Sequence, residues 1–179
     1  VLRAGGVLAF PTETVYGLGV LEGEPEREAR LRELKGREET KPFQRLIADA
    51  VDAARYVPAL PPPARRLAER FWPGPLTLVL PAGEGTVGLR CPGLPFVREL
   101  AREAGGAIVA TSANPAGAPP ACDAEAVRRA FGSRLDLLLD GGTVTLGTAS
   151  TVVEVRGSEL RIHRAGAIPS EAILEETSS

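Results

Sequence analysis

Histidine appears once in the 179 residues, cysteine twice, tryptophan once and methionine nowhere. That scarcity removes whole classes of chemistry. With His163 as the sole His there is no HExxH helix, and Cys91 and Cys122 are too few and too far apart for a zinc knuckle or a disulfide framework. A Ser or Cys nucleophile activated by His has only His163 to draw on, and a lone His on a strand is more often packed or surface-exposed than a base. Two unpaired cysteines fit a reducing, cytoplasmic compartment. The longest uncharged stretch, Ala104 to Cys122, holds Gly, Pro, Ser and Asn with only Ile108 and Val109 as bulky aliphatics, so it cannot span a bilayer. An excess of one charge is also missing. Lys and Arg number 21 against 23 Asp and Glu, a net charge of −2, which excludes binding nucleic acid through the overall field and leaves only a local basic patch. Aromatics at 4 % disfavour recognition by base stacking. Neither GxxxxGK[ST] nor GxGxxG occurs, so any nucleotide must be held another way. With no Met at all, an initiator residue is expected before Val1.

What is present fits one soluble domain over residues 1–179. Hydrophobic residues at 44 % and charged residues at 25 % are ordinary, whereas 20 Gly and 16 Pro imply many turns and backbone-lined surfaces. The background is rich in Arg and poor in amides, as in a GC-rich genome or a thermophilic host. Against it the rare residues stand out: the only lysines, Lys35 and Lys41, lie in KGREETK, Asn114 in TSAN, and Gln44 is the sole Gln.

Apolar runs and breakers predict strands at Val7–Phe10, Phe43–Ala48, Leu76–Leu80, Val87–Cys91, Ala107–Ala110, Leu135–Leu139, Ser150–Val155 and Leu160–Arg164. TETVYGLG reads as a polar loop. Pro25, Pro61-Pro62-Pro63 and Pro95 suit helix starts, Gly36 and Gly105 helix stops, and Asp49, Asp123 and Ser170 helix caps. Helices interleave with strands, some of which are joined by short hairpin turns. The expectation is an α/β fold with an open mixed parallel and antiparallel sheet.

The polar segments are TETVYG, KGREETK, PGPLT, TVGLR, TSAN, GTAST and RIHRAG. Lys35, Arg37 and Lys41 leave a helix end together, and Arg forks plus mobile Lys charges suit a polyphosphate. The plain alternative is a solvated loop offset by Glu38 and Glu39. Thr111, Ser112 and Asn114 follow a strand end and offer groups for a carboxylate, a ribose or a phosphate, or else form an ordinary turn. Cys91 has only Arg90 beside it in sequence to lower its pKa.

In order along the chain, PTETVYGLG, KGR followed by KP, WPGPLTLVLP, VGLR-x-P, TSAN-x-x-G-x-P and G-x-x-STVV before R-x-G resemble the YrdC-like threonylcarbamoyl-AMP synthase family, over residues 5 to about 168. Residues 169–179 are read as a terminal helix and tail. The resemblance implies an open twisted mixed sheet flanked by helices, with a basic concave cleft. It also implies formation of threonylcarbamoyl-AMP and pyrophosphate from L-threonine, bicarbonate or CO₂, and ATP with Mg²⁺, with no tightly bound metal ligated by the protein. The product would pass to threonylcarbamoyl-transferase proteins and serve tRNA modification. By motif position, Lys35, Arg37 and Lys41 would bind the ATP phosphates, with Ser112 and Asn114 completing the set; Lys35, Arg37, Ser112 and Asn114 would be the catalytic group. Thr14, Arg90, Thr111 and Ser150 resemble positions around threonine. Thr86, Ala113 (through its backbone) and Arg164 resemble nucleotide-side positions. Tyr16 is read as packing or touching ligand, and Trp72 and Thr77 as structural. Glu38 stands where many relatives have Pro, Leu46 where longer ones often have His, and Ala116 where Ser is frequent. The chain ends soon after R-x-G, as in the short form of the family. An RNA-binding module of the same fold, or a carbamoyl-transfer domain with another acceptor, are the competing readings.

Overall fold

The apolar runs between Gly and Pro breakers form, among the described residues, nine strands in one open sheet. A computed structural model of the chain describes residues 1–36 and 42–177. In chain order the elements are β1 (Leu8–Phe10), β2 (Gly17–Leu21), α1 (Pro25–Lys35), β3 (Gln44–Leu46), a 3₁₀ turn (Ala50–Arg55), α2 (Pro62–Phe71), β4 (Leu76–Ala82) and β5 (Gly85–Arg90). They continue with α3 (Pro95–Ala104), β6 (Ile108–Ser112), α4 (Ala124–Phe131), β7 (Leu137–Leu138), β8 (Thr151–Arg156), β9 (Glu159–Arg164) and α5 (Ser170–Thr177). Across the sheet the order is β7-β1-β2-β6-β3-β5-β4-β8-β9. The β1/β7, β3/β5 and β4/β8 pairs are parallel and the rest antiparallel, the mixed sheet expected.

Local chemistry sets the boundaries. Pro25 opens α1 where its missing N–H costs nothing, and Gly36, at φ 63°, takes the left-handed turn that ends it. Asp49 and Asp52 form a reciprocal capping box on the 3₁₀ turn, and the Asp123 carboxylate accepts from Ala126 N at the start of α4.

One expectation fails. Only residues 12–16 of TETVYGLG are loop; Gly17–Leu21 is a central strand. A Cβ on Gly19 would lie 2.5 Å from Ile108 Cγ2 and 2.9 Å from Phe10 Cε1, so neighbouring side chains fill the space the glycines leave. Those glycines mark close packing inside a strand, where breaker statistics mislead.

Helices cover the sheet unevenly. Over β1, β2 and β6, Leu31 of α1 and Val127 and Phe131 of α4 pack with Ala9, Leu18, Val20 and Val109 on one face, while Val97 and Ala101 of α3 pack with Leu8, Phe10 and Ile108 on the other. Over β4, β5 and β8, Leu67 of α2 and Ile173 of α5 pack with Leu78, Leu89 and Val153. The opposite face of those three strands carries Thr77, Val79, Gly88, Arg90, Val152 and Glu154, and it forms the floor of a cleft.

Candidate active site

The cleft encloses about 790 Å³, in the range of sites for nucleotide-sized ligands. One wall is built where α1 ends against the loop after β6. Lys35, the last residue of α1, is only 6 % exposed. Its ammonium donates to Ser112 O (2.7 Å), Asn114 Oδ1 (2.8 Å) and, at 3.3 Å, Ser112 Oγ. Asn114 is fixed from behind, its Nδ2 donating to Pro115 O at 3.0 Å and Ala118 O at 2.6 Å, so Oδ1 must face Lys35. Ser112 Oγ donates to the same Oδ1 at 2.5 Å. The sole Asn therefore accepts two bonds on Oδ1 and donates two from Nδ2; an ionised Asp has no proton to donate and Ser has only one.

A second cluster lies under the loop at residues 12–16. Arg90, 2 % exposed, donates from Nε to Gly74 O at 3.2 Å and from Nη2 to Glu13 Oε1 at 2.8 Å and Thr14 Oγ1 at 3.0 Å. Among the described residues Nη1 has no protein acceptor, and Arg90 lines the cleft. Glu13 Oε1 also accepts from Gly93 N at 2.7 Å. Burial alone would raise the Glu13 pKa, but the Arg90 charge and the bonds from Arg90 and Gly93 outweigh it and hold the carboxyl below its ordinary 4.5.

The third cluster joins β3, β4, β8 and β9. Thr77 Oγ1 donates to Gln44 Oε1 (2.7 Å) and lies 2.9 Å from Ser150 Oγ. The single Thr77 proton goes to Gln44, so Ser150 donates to Thr77. Arg164 donates to Ser150 Oγ (3.1 Å) and Ser150 O (3.0 Å). Ser150 thus keeps one lone pair for a ligand and has no proton to give. Burial, then the nearby Arg90 charge, lowers the Arg164 pKa from its ordinary value.

Thr14, Lys35, Thr86, Arg90, Thr111, Ser112, Asn114, Ser150 and Arg164 all line this one cleft. Ala113 does not. It is fully buried, its N–H donates to Tyr16 O at 2.7 Å and its carbonyl accepts from Ala121 N, so its backbone braces the loop. Arg37, Glu38 and Lys41 lie outside the described residues. Tyr16 is buried, its hydroxyl donating to Gly142 O at 2.8 Å and accepting from Gly141 N, which pins the chain before β8. Trp72 is structural as read, its indole N–H donating to Leu76 O at 2.8 Å. Thr77, read as structural, holds Gln44 and Ser150 and also lines the cleft. Sequence reasoning also passed over Glu13 and Gln44; the available signals were the sole Gln and the carboxylate inside TETVYG. Leu46 is buried and borders the cleft where a His was the alternative. Burial pushes the Cys91 thiol up to about 11, away from nucleophilic use. Among the described residues no helix is long and apolar enough to cross a membrane.

These features define a class: an open mixed α/β domain whose uncovered sheet face joins a Lys-Ser-Asn cluster to an arginine-and-hydroxyl cluster. The family model described as Telomere recombination, Sua5/YciO/YrdC, matches residues 1–166, and the chain belongs to that family. It is 41 % identical over 150 residues to the threonylcarbamoyl-AMP synthase of Halorhodospira halophila, covering 78 % of each protein. It is 38 % identical over 183 residues to the threonylcarbamoyl-AMP synthase of Bacillus subtilis, covering 96 % of this chain and 53 % of that one. The structure of P. abyssi Sua5 complexed with L-threonine superposes with a TM-score of 0.93 at 35 % identity, covering 98 % of this chain and 54 % of that one. The chain spans about half the length of the latter two relatives.

Proposed function

We propose that the chain is an L-threonylcarbamoyladenylate synthase, joining L-threonine, CO₂ from bicarbonate, and ATP into threonylcarbamoyl-AMP with release of pyrophosphate. The observation that carries this reading is the placement of the Lys35-Ser112-Asn114 set and the Arg90-Thr14-Ser150 set in one cleft. The first suits phosphate oxygens, with a compact cation beside a hydroxyl and an amide. The second suits an amino acid: Arg90 Nη1 is directed by its three other bonds toward a carboxylate, and the Ser150 lone pair accepts from the substrate hydroxyl or amine.

The threonine amine adds to CO₂ and loses a proton to give a carbamate. A carbamate oxygen attacks the α-phosphorus, and the bond to the β-phosphate bridging oxygen breaks as pyrophosphate leaves. No protein nucleophile is required; the chain contributes alignment and charge stabilisation. Arg37 and Lys41 of the same segment are assigned to the phosphates with Lys35. Mg²⁺ is taken as part of the nucleotide substrate, MgATP. The product is handed to a threonylcarbamoyl transferase acting on tRNA in the cytoplasm.

The test is pyrophosphate release from MgATP and bicarbonate with L-threonine, or with L-serine in its place, and the product mass. Threonine-dependent release with the mass of threonylcarbamoyl-AMP is the expected result. ATP binding without threonine-dependent release overturns the reading and favours another acceptor, or an RNA-binding module with a steep salt dependence.

A further inference from the structure

One register row crosses the cleft floor: Ala110 pairs with Gln44, Gln44 with Gly88, Gly88 with Val79, and Val79 with Glu154. At about 4.8 Å per strand the row runs roughly 19 Å from β6 to β8, the reach of an extended nucleoside triphosphate. Its β6 end adjoins Ser112, Asn114 and Lys35, the proposed phosphate site. Its middle is bare backbone and one aliphatic side chain, Gly88 and Val79, a flat apolar floor. Its far end is Glu154, the one carboxylate among the described lining residues of the cleft.

A carboxylate repels phosphates, so Glu154 must face a part of the ligand that is not phosphate. Its setting is built. The register shift between Val152 and Val153 sets His163 as an extra residue in β9, and His163 and Arg164 both line the cleft, although successive strand residues normally face opposite ways. His163 Nε2 lies 2.6 Å from Glu154 Oε2, and Arg156 Nε donates to Oε1. The Glu154 side chain is 14 % exposed. With each oxygen already held by one basic side chain, the carboxylate suits neutral donors better than a divalent cation, and each oxygen keeps a lone pair for a hydroxyl. Carboxylates recognise the vicinal hydroxyls of a ribose in this way.

Resting on the proposed ATP reading, we infer that Glu154, oriented by His163 and Arg156, accepts hydrogen bonds from the ribose hydroxyls of the bound nucleotide and so selects ribonucleotides over deoxyribonucleotides. Lys35-Ser112-Asn114 and Glu154 then mark the two ends of one extended ligand.

The test is equilibrium binding, which needs no turnover, of MgATP, 2′-deoxy-MgATP and 3′-deoxy-MgATP to the wild-type chain and to Glu154→Ala and Glu154→Gln. The wild type should bind at least one deoxynucleotide roughly 10- to 100-fold more weakly than ATP, the range for a hydrogen bond to a charged group. In Glu154→Ala the ratio should collapse toward one, through weaker ATP binding, while inorganic tripolyphosphate binds as before; Glu154→Gln should fall between. Equal binding of all three by the wild type overturns the inference, as does a ratio that survives in both variants, or a variant whose only change is a higher Mg²⁺ requirement. A coupled ratio without threonine-dependent pyrophosphate release leaves the ribose site standing and removes the synthase reading; the converse result removes the ribose site alone.

Discussion

The two halves of the sheet solve different problems. Around β1, β2 and β6 both faces are covered by helices, every residue of β1 is buried, and the backbone is packed until only glycine fits opposite Phe10 and Ile108. Around β5, β4 and β8 helices cover one face only, and β8 alternates buried with partly exposed positions from Thr151 to Val155. In the first half the apolar side chains of β1, β2 and β6 are buried except for Leu21, which is partly so. In the second, one face is left to polar side chains that bond to one another: Gln44, Thr77, Ser150 and Arg164. The stabilising half and the chemical half share one sheet and meet at the cleft: α1, the end of β6 and the loops beside β2 and β6 bring Lys35, Ser112, Asn114 and Thr14 to it, while β5, β9 and the residue before β8 bring Arg90, Arg164 and Ser150.

The largest expected effect comes from the cleft wall that the first half supplies. Lys35→Ala removes the ammonium at the phosphate wall and should lower kcat/KM for ATP by at least about 10³-fold, the scale for a preorganised group that stabilises charge in the transition state. Its far-ultraviolet circular dichroism should match the wild type. Retained turnover would show that the anion site lies elsewhere.

Glu13→Gln strikes where the halves meet, since Glu13 ties the loop before β2 to Arg90 at the end of β5 and to Gly93 before α3. Removing one charge of a buried pair costs about 3–5 kcal/mol, less whatever the retained amide bonds recover. The threonine KM should rise more than the ATP KM, because Arg90 loses the charged partner that aims it. The pH dependence has a definite sign. Glu13 is held below 4.5 in the fold, so at acid pH the unfolded chain binds more protons. Its contribution is present above pH 4.5 and fades as pH falls through the lower folded value. Denaturant titrations should show the gap between wild type and variant narrowing below pH 4.5; a gap that widens would contradict the ion-pair assignment. Asp136 is also held low, chiefly by the Val7 N–H and then Arg30, but it titrates in both proteins and cancels in the difference.

Gly19→Ala should do the reverse of Lys35→Ala. The added methyl meets Ile108 Cγ2 and Phe10 Cε1 well inside normal contact, and overpacking of this kind costs about 1–3 kcal/mol. Thermal unfolding should move down while KM values of the folded fraction stay near wild type.

The same contrast explains what the sequence reveals. Helix ends were legible because Pro25, Gly36, Asp49 and Asp123 act within a few residues of themselves. β2 was not, since the reason for Gly17 and Gly19 is a ring and a methyl contributed by Phe10 and Ile108, far along the chain. At the site, rare residue types pointed to Lys35 and Asn114, and the family motifs added Arg90, Ser150 and Arg164. Glu13, Thr77 and Glu154 escaped because their meaning comes from partners 77, 73 and nine residues away, brought near only by the sheet. Ala113 misled for the opposite reason: its neighbours face the cleft, but its own amide is taken by Tyr16.

The smallest effect tests whether the bare floor matters. Gly88 lies between Gln44 and Val79 in the register row, and a Cβ there would sit 3.5 Å from Gln44 Cα and 3.8 Å from Thr77 Cγ2, ordinary contact distances. No positive φ is involved, and alanine in a strand costs less backbone entropy than glycine, so Gly88→Ala should leave stability unchanged within about 1 kcal/mol. The methyl projects into the space a nucleotide would cross. A rise of a few fold in the Kd for MgATP, with the threonine KM little changed, would locate the nucleotide over the floor of the chemical half. An unchanged Kd would place the nucleotide away from that row, and Glu154 would then have to find its ligand elsewhere.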